Sequence, residues 1–140
     1  TFQEYLAYVA ASYGVQQPDV AELVKGFHFE DYTHVLLKEL STGNLKKAYL
    51  ITAFALRPKL LLLDEPVNGL DFQSTEFLYQ LISGYKEYGT VLFSSHILES
   101  ICLTSDRVLV LEQGKISRIF TGKEIAAGNI REVLAFEEDH

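Results

Sequence analysis

Apolar positions recur at helical spacing through about residue 56, and from Lys59 onward short apolar runs alternate with helical stretches. Phe2, Leu6, Val9 and Ala10 share one helical face, and Gly14 is placed to end that helix. Pro18 suits the first turn of a second helix, with Val20, Leu23 and Val24 on one face and Gly26 closing it. Phe29 to Leu37 reads as a short helix or a turn. A fourth helix is predicted from about Thr42 to Leu56, with Leu45, Ala48, Tyr49, Thr52 and Ala55 as its periodic positions and Pro58 just beyond its end.

The second half changes rhythm. Leu60 to Asp64 reads as a buried strand, Phe72 to Tyr88 as a helix with Leu78, Leu81, Ile82 and Tyr85 facing in, and Thr90 to Ser94 as a second buried strand. Ile97 to Leu103 is a short helix, and Arg107 to Leu111 with Lys115 to Phe120 form a hairpin around Gln113-Gly114. Gly122 to Glu138 reads as one or two short helices running into an acidic, frayed end. Strands alternating with helices predict an α/β fold: a parallel sheet, with the antiparallel hairpin at one edge.

Composition narrows the function classes. The 140 residues are 48% hydrophobic, which supports a packed core, and carry a net charge of -7, which argues against a general nucleic-acid binder. Cys102 is the only cysteine, so no internal disulfide can form, in keeping with a reducing compartment. The apolar stretch Ala48 to Leu63 is cut by Arg57, Pro58 and Lys59, short of the roughly 18 residues that read as a membrane span. The chain starts at Thr1 and has no methionine, which is the expectation for a piece of a longer chain.

Four short motifs are candidates for chemistry. In Leu60-Leu61-Leu62-Leu63-Asp64-Glu65-Pro66, two acids follow an apolar strand at the sheet end where ligands bind in α/β folds. Asp64 would orient Mg²⁺ and Glu65 would polarise an attacking water, or the pair simply starts a turn. Leu40-Ser41-Thr42-Gly43-Asn44 opens the fourth helix, where free N–H groups and the helix dipole favour an anion, or where Ser41 is an ordinary cap. In Asn68-Gly69-Leu70-Asp71 the glycine allows a tight turn and Asp71 can cap the next helix. In Ser94-Ser95-His96, a histidine just past a strand can reach phosphate or water at the same sheet edge, or serve structure alone.

In this order and spacing the motifs resemble the C-terminal part of an ATP-binding-cassette (ABC) transporter ATPase subunit. Leu40 to Asn44 resembles the LSGGQ signature, Leu60 to Glu65 the Walker B strand with its glutamate, Asn68 to Asp71 the D-loop, and His96 the switch histidine. Asp106 to Ile116 is similar to the hairpin that follows that histidine. The resemblance implies a P-loop NTPase fragment: a helical subdomain at residues 1–57, then part of a RecA-like parallel-sheet core at 58–140. It further implies ATP with Mg²⁺ at Asp64, catalytic roles for Glu65 and His96, and nucleotide contacts from Ser41, Thr42, Gly43, Asn44 and Asp71. Thr42 and Asn44 depart from the signature, and the Thr42 methyl is expected to weaken a close backbone approach to phosphate.

The phosphate-gripping pattern G-x-x-x-x-G-K-[ST] is absent: Gly114-Lys115 and Gly122-Lys123 lack both the earlier glycine and the following hydroxyl. In the family that loop precedes the helical subdomain, together with the adenine-stacking aromatic and the Q-loop glutamine. These residues by themselves are therefore expected to hold ATP weakly and not to hydrolyse it. The implied partners are a second ATPase subunit in a head-to-tail dimer and a transmembrane permease, with no nucleic acid, at the cytoplasmic face of the cell membrane. Asn68-Gly69 and Ser94 to Glu99 resemble export-type systems. Two alternatives are a soluble ABC-type ATPase acting on DNA or ribosomes, and a catalytically degenerate interaction module.

Overall fold

A computed structural model describes residues 1–138, and they form two compact units, one ending at Ser94 and the other starting at Ser95. Helices from before residue 57 and strands from after it share the core of the first unit.

Helix α1 (Phe2–Ser12) starts on a capping box, in which Thr1 and Glu4 satisfy each other's backbone N–H groups. It ends as expected at Gly14, whose φ of +67° closes a Schellman turn: Val15 N–H donates to Ala10 and Gly14 N–H to Ala11. Helix α2 (Ala21–Gly26) starts later than Pro18 predicts. The Asp19 carboxylate accepts from Ala21 N–H at 3.0 Å and sets the first turn there. Gly26 is the last residue of α2, as expected, and the left-handed residue after it is His28, at φ +52°. The glycine also answers to packing, because a Cβ at Gly26 would lie 2.1 Å from the Phe77 ring. Between α2 and the next helix the chain makes two single 3-10 turns, Glu30–Tyr32 and Leu37–Glu39.

Helix α3 (Thr42–Leu56) has the predicted ends. Ser41 caps it by accepting from Asn44 N–H, and Arg57, at φ +48°, turns the chain out before Pro58. Its buried face includes the predicted Ala48 and Thr52 but is wider, with Lys47, Leu50, Ile51 and Phe54 also buried, whereas Tyr49 is exposed and meets the Tyr5 ring edge-on. The helix is enclosed on most of its circumference, so no narrow stripe marks its inner face.

Strands β1 (Leu60–Leu63) and β2 (Thr90–Phe93) pair in parallel, joined through α4 (Phe72–Tyr85). The helix stops at Tyr85 rather than Tyr88, because the N–H groups of Tyr88 and Gly89 both turn back to the Tyr85 carbonyl. The strands are not buried on both sides as predicted. Leu61 is 6% exposed, but Leu60, Leu62 and Leu92 are 56%, 65% and 53% exposed, so one face of this two-stranded sheet is bare. The core of the unit is aromatic-rich. Phe2 meets Phe29, Phe27 meets Phe77 and Phe54 meets Tyr85, all edge-on, around Ile51, Leu61 and Leu78.

In the second unit, α5 (Leu98–Thr104) precedes strands β3 (Arg107–Glu112) and β4 (Lys115–Thr121), which pair antiparallel across Gln113-Gly114. Both turn residues have positive φ, as a two-residue hairpin loop requires. Among the described residues the hairpin is a sheet of its own rather than an edge of the parallel one. Val108, Val110 and Phe120 pack there with Ile130 of α6 (Ala127–Glu138). Of the predicted acidic end, Asp139 and His140 lie outside the described residues. No helix of the described residues is long and apolar enough to cross a membrane.

Candidate functional site

The predicted residues of the first unit converge on one loop, residues 64–71, which runs from the end of β1 to the start of α4. Asp64 is exposed and Glu65 half-buried. Ser94, just past β2, ties them together: its Oγ donates to Asp64 Oδ1 at 2.6 Å and accepts from Glu65 N–H at 2.8 Å. Parallel pairing brings it there, since Ser94 N–H donates to the Leu63 carbonyl.

Among the described residues, Glu65 is one of four non-glycine residues with positive φ, at +44°. Such a backbone costs about 1–3 kcal/mol and persists only where neighbours over-determine it. Here they do. Besides the bond from Glu65 N–H to Ser94, the Glu65 carbonyl accepts from Lys46 Nζ at 2.9 Å and from Asn68 N–H at 3.2 Å.

The first turns of α3 lie against the same loop. Ser41, Thr42, Gly43 and Asn44 form its N-terminus, with Ser41 and Thr42 exposed. A Cβ on Gly43 would lie 2.6 Å from the Gly69 carbonyl oxygen, so only glycine fits this crossing of two backbones. Lys47 is 6% exposed and its Nζ is 2.7 Å from Asp71 Oδ2. Asp71 caps α4 as the sequence predicted, accepting from Ser74 N–H at 2.9 Å and Ser74 Oγ at 3.0 Å. The Lys47 ammonium, followed by the Ser74 N–H, holds the Asp71 carboxyl well below the usual carboxylate range.

His96 belongs to the second unit and is exposed; beside it, Ile97 N–H donates to Ser95 Oγ. The structure thus brings Ser41 to Asn44, Asp64, Glu65 and Asp71 to one edge of the first unit. Sequence reasoning missed Lys46, Lys47 and the linking role of Ser94. A faint signal existed for Lys47, which falls at a core-facing position between Asn44 and Ile51 on α3.

A divalent ion fits this edge in a limited sense. The described residues hold no cluster of three or more His, Cys, Asp or Glu that could enclose a metal. The donor chemistry is that of a single carboxylate, Asp64, which suits Mg²⁺ carried by a nucleotide, because such ions take one or two carboxylates and complete their shell with phosphates and water.

The chain is similar to ATP-binding proteins of ABC transporters. A family model described as "AAA domain, putative AbiEii toxin, Type IV TA system" matches residues 5–101. The chain is 37% identical over 122 residues to the putative ABC transporter ATP-binding protein AlbC of Bacillus subtilis (strain 168), covering 85% of this chain and 51% of that protein. It is 32% identical over 124 residues to the energy-coupling factor transporter ATP-binding protein EcfA2 of Clostridium perfringens (strain 13 / Type A), covering 83% and 44%. The chain therefore spans about half the length of the relatives it matches. A solved structure titled "Structure of ATP binding subunit of ABC transporter" superposes with a TM-score of 0.81 at 26% identity, covering 96% of this chain and 56% of that one.

Proposed function

The chain belongs to the AAA-domain family and is a relative of ABC transporter ATP-binding proteins, and from that premise we propose that it forms part of a subunit that hydrolyses ATP to power membrane transport. In this reading Glu65 is the general base. It takes a proton from the water whose oxygen bonds to the γ-phosphorus, while the bond from that phosphorus to the bridging oxygen breaks and ADP leaves. His96 holds the transferred phosphoryl group and the water in place. Asp64 would hold Mg²⁺, which neutralises charge developing on the phosphates. The N-terminus of α3, with Ser41, Thr42, Gly43 and Asn44, offers its N–H groups to the γ-phosphate bound by a second subunit, and Asp71 steadies that interface. The subunit works at the cytoplasmic face of the membrane beside a permease. The wording of Asn68-Gly69 and Ser94 to Glu99 supports export as the direction.

The observation that carries the reading is Glu65 itself. An acid at the end of a parallel strand is held in an unfavourable backbone conformation by Ser94 and Lys46. Strain of this kind clusters at working sites. The test is Glu65→Gln in the whole protein. The amide keeps the shape but takes no proton, so turnover is expected to fall about 10²–10⁴-fold with ATP binding kept. The 140 residues alone serve as the blank, since they lack the phosphate-gripping loop. An unchanged rate in the variant, or turnover by the blank, contradicts the proposal.

A further inference from the structure

Lys46 and Lys47 are adjacent on α3, yet neither behaves as an ordinary surface lysine. Lys47 is buried against Asp71, and Lys46, half-buried, gives its ammonium to a backbone carbonyl 19 residues away. That carbonyl belongs to Glu65. We propose that Lys46 is a positioning residue for Glu65: by holding the Glu65 carbonyl it keeps that backbone left-handed, and so fixes where the carboxylate stands.

The geometry supplies three reasons. The first is the bond itself, a charged donor on a carbonyl, which is stronger than a neutral pair. At 2.9 Å it is also shorter than the 3.2 Å bond that Asn68 N–H makes to the same oxygen. The second is that the ammonium is carried on a rigid base. One helical turn presents Gly43, Lys46 and Lys47 together, and their counterparts in the loop are Gly69, Glu65 and Asp71. With the Gly43–Gly69 crossing on one side and the Lys47–Asp71 pair on the other, the stem of Lys46 starts from a fixed place. The third is what the bond opposes. A return of Glu65 to negative φ would swing its side chain to the other side of the chain, and the Lys46 bond, beside that of Asn68, resists that rotation. A misplacement of about 1 Å in catalytic geometry can cost about 10²-fold in rate.

The same link makes α3 a lever. Its N-terminus carries Ser41 to Asn44, and Lys46 lies one turn further along the same helix. A displacement of that N-terminus large enough to strain the Lys46 bond would be felt at the Glu65 backbone.

This inference rests on Glu65 being the general base, so the experiment separates the two. In the whole protein, kcat and KM for MgATP are measured for Lys46→Met, Lys46→Arg, Glu65→Gln and Lys46→Met with Glu65→Gln. Lys46→Met is expected to lower kcat at least about tenfold with KM within about twofold, within the range that misplacement allows. Lys46→Arg, which can still donate, recovers most of the rate. In the Glu65→Gln background Lys46→Met costs nothing further, because the group it positions is gone. A normal kcat in Lys46→Met beside an inactive Glu65→Gln overturns the positioning role and leaves the base standing. A normal rate in Glu65→Gln removes the base, and the positioning role with it. Equal losses from Lys46→Met in both backgrounds, measured per folded molecule, show a merely structural lysine and also overturn the proposal. If Lys46→Met does not fold, Lys46→Gln replaces it, with the same comparison across backgrounds deciding.

Discussion

Replacing Gly43 by alanine should destabilise the protein even with no nucleotide present. Gly43 is the second residue of α3, and on helical preference alone alanine there is worth up to about 1 kcal/mol. The crossing with Gly69 opposes this. The added Cβ would stand 2.6 Å from a backbone oxygen, inside the 3.4 Å at which ordinary contact begins. Neither partner is a side chain that can rotate away, so the helix turn or the loop must move as a body. Such a shift also disturbs the bonds from Lys46 and Lys47. Overpacking of this kind costs about 1–3 kcal/mol, which leaves a net loss of about 1 kcal/mol after the helical gain. For a protein of 150–250 residues that is a fall of about 2–4 °C in melting temperature. Gly84→Ala is the matched control: it lies in α4 of the same unit, with nothing within 4 Å of its added Cβ. It should raise the midpoint by a similar amount. Thermal unfolding of the whole, nucleotide-free protein with both variants decides the matter. If Gly43→Ala rises alongside Gly84→Ala, the backbone crossing is not what requires glycine, and contact with phosphate becomes its sole explanation.

Asp71→Asn keeps a good helix cap but removes the charge facing buried Lys47, and should cost about 1–2 kcal/mol at neutral pH, discounted because the Asp71 side chain is 52% exposed. Because the folded Asp71 pKa is depressed, its contribution is fully present above the unfolded value near about 4 and is lost as pH falls through the lower folded value. Urea midpoints of wild type and variant should therefore differ by a constant amount from pH 5 to 8 and converge below about pH 4; parallel curves down to pH 2 would refute the pairing. Thr42 is exposed at the tip of α3. If its methyl crowds an opposing phosphate, Thr42→Gly in the whole protein raises turnover or tightens the ATP-bound dimer, while a drop in melting temperature with no kinetic gain ends that idea.

What was legible in the sequence is what local chemistry decides. Ser41 and Pro58 bracket α3, Asp71 announces the start of α4, and Gln113-Gly114 marks the hairpin, and each signal lies within a few residues of its effect. The misses come from distance. Lys47 reads as a surface residue because its burial is permitted by Asp71, 24 positions later in the chain. Gly26 ends α2 as its sequence suggests, but nothing nearby reveals the Phe77 ring that occupies its side. The leucines of β1 read as buried on both faces, yet burial depends on what a sheet has above and below it, and this one has a bare face. The candidate site divides in the same way. Its acids and glycines stand out by motif, whereas Lys46 holds a carbonyl, a bond that any long donor could make and that leaves no pattern in composition.

The left-handed backbone at Glu65 has an evolutionary consequence. An acid kept there sits against its own conformational preference, so glycine or asparagine at that position would relax the fold and, on the proposed reading, remove the general base. In a lineage released from the need for turnover, drift at residue 65 would run downhill. Gly43 faces the opposite slope, because every side chain collides with Gly69 whether or not nucleotide is ever bound. Relatives that have lost activity should therefore shed the glutamate early and keep the glycine long, and a surviving signature glycine would be poor testimony that a descendant still burns ATP.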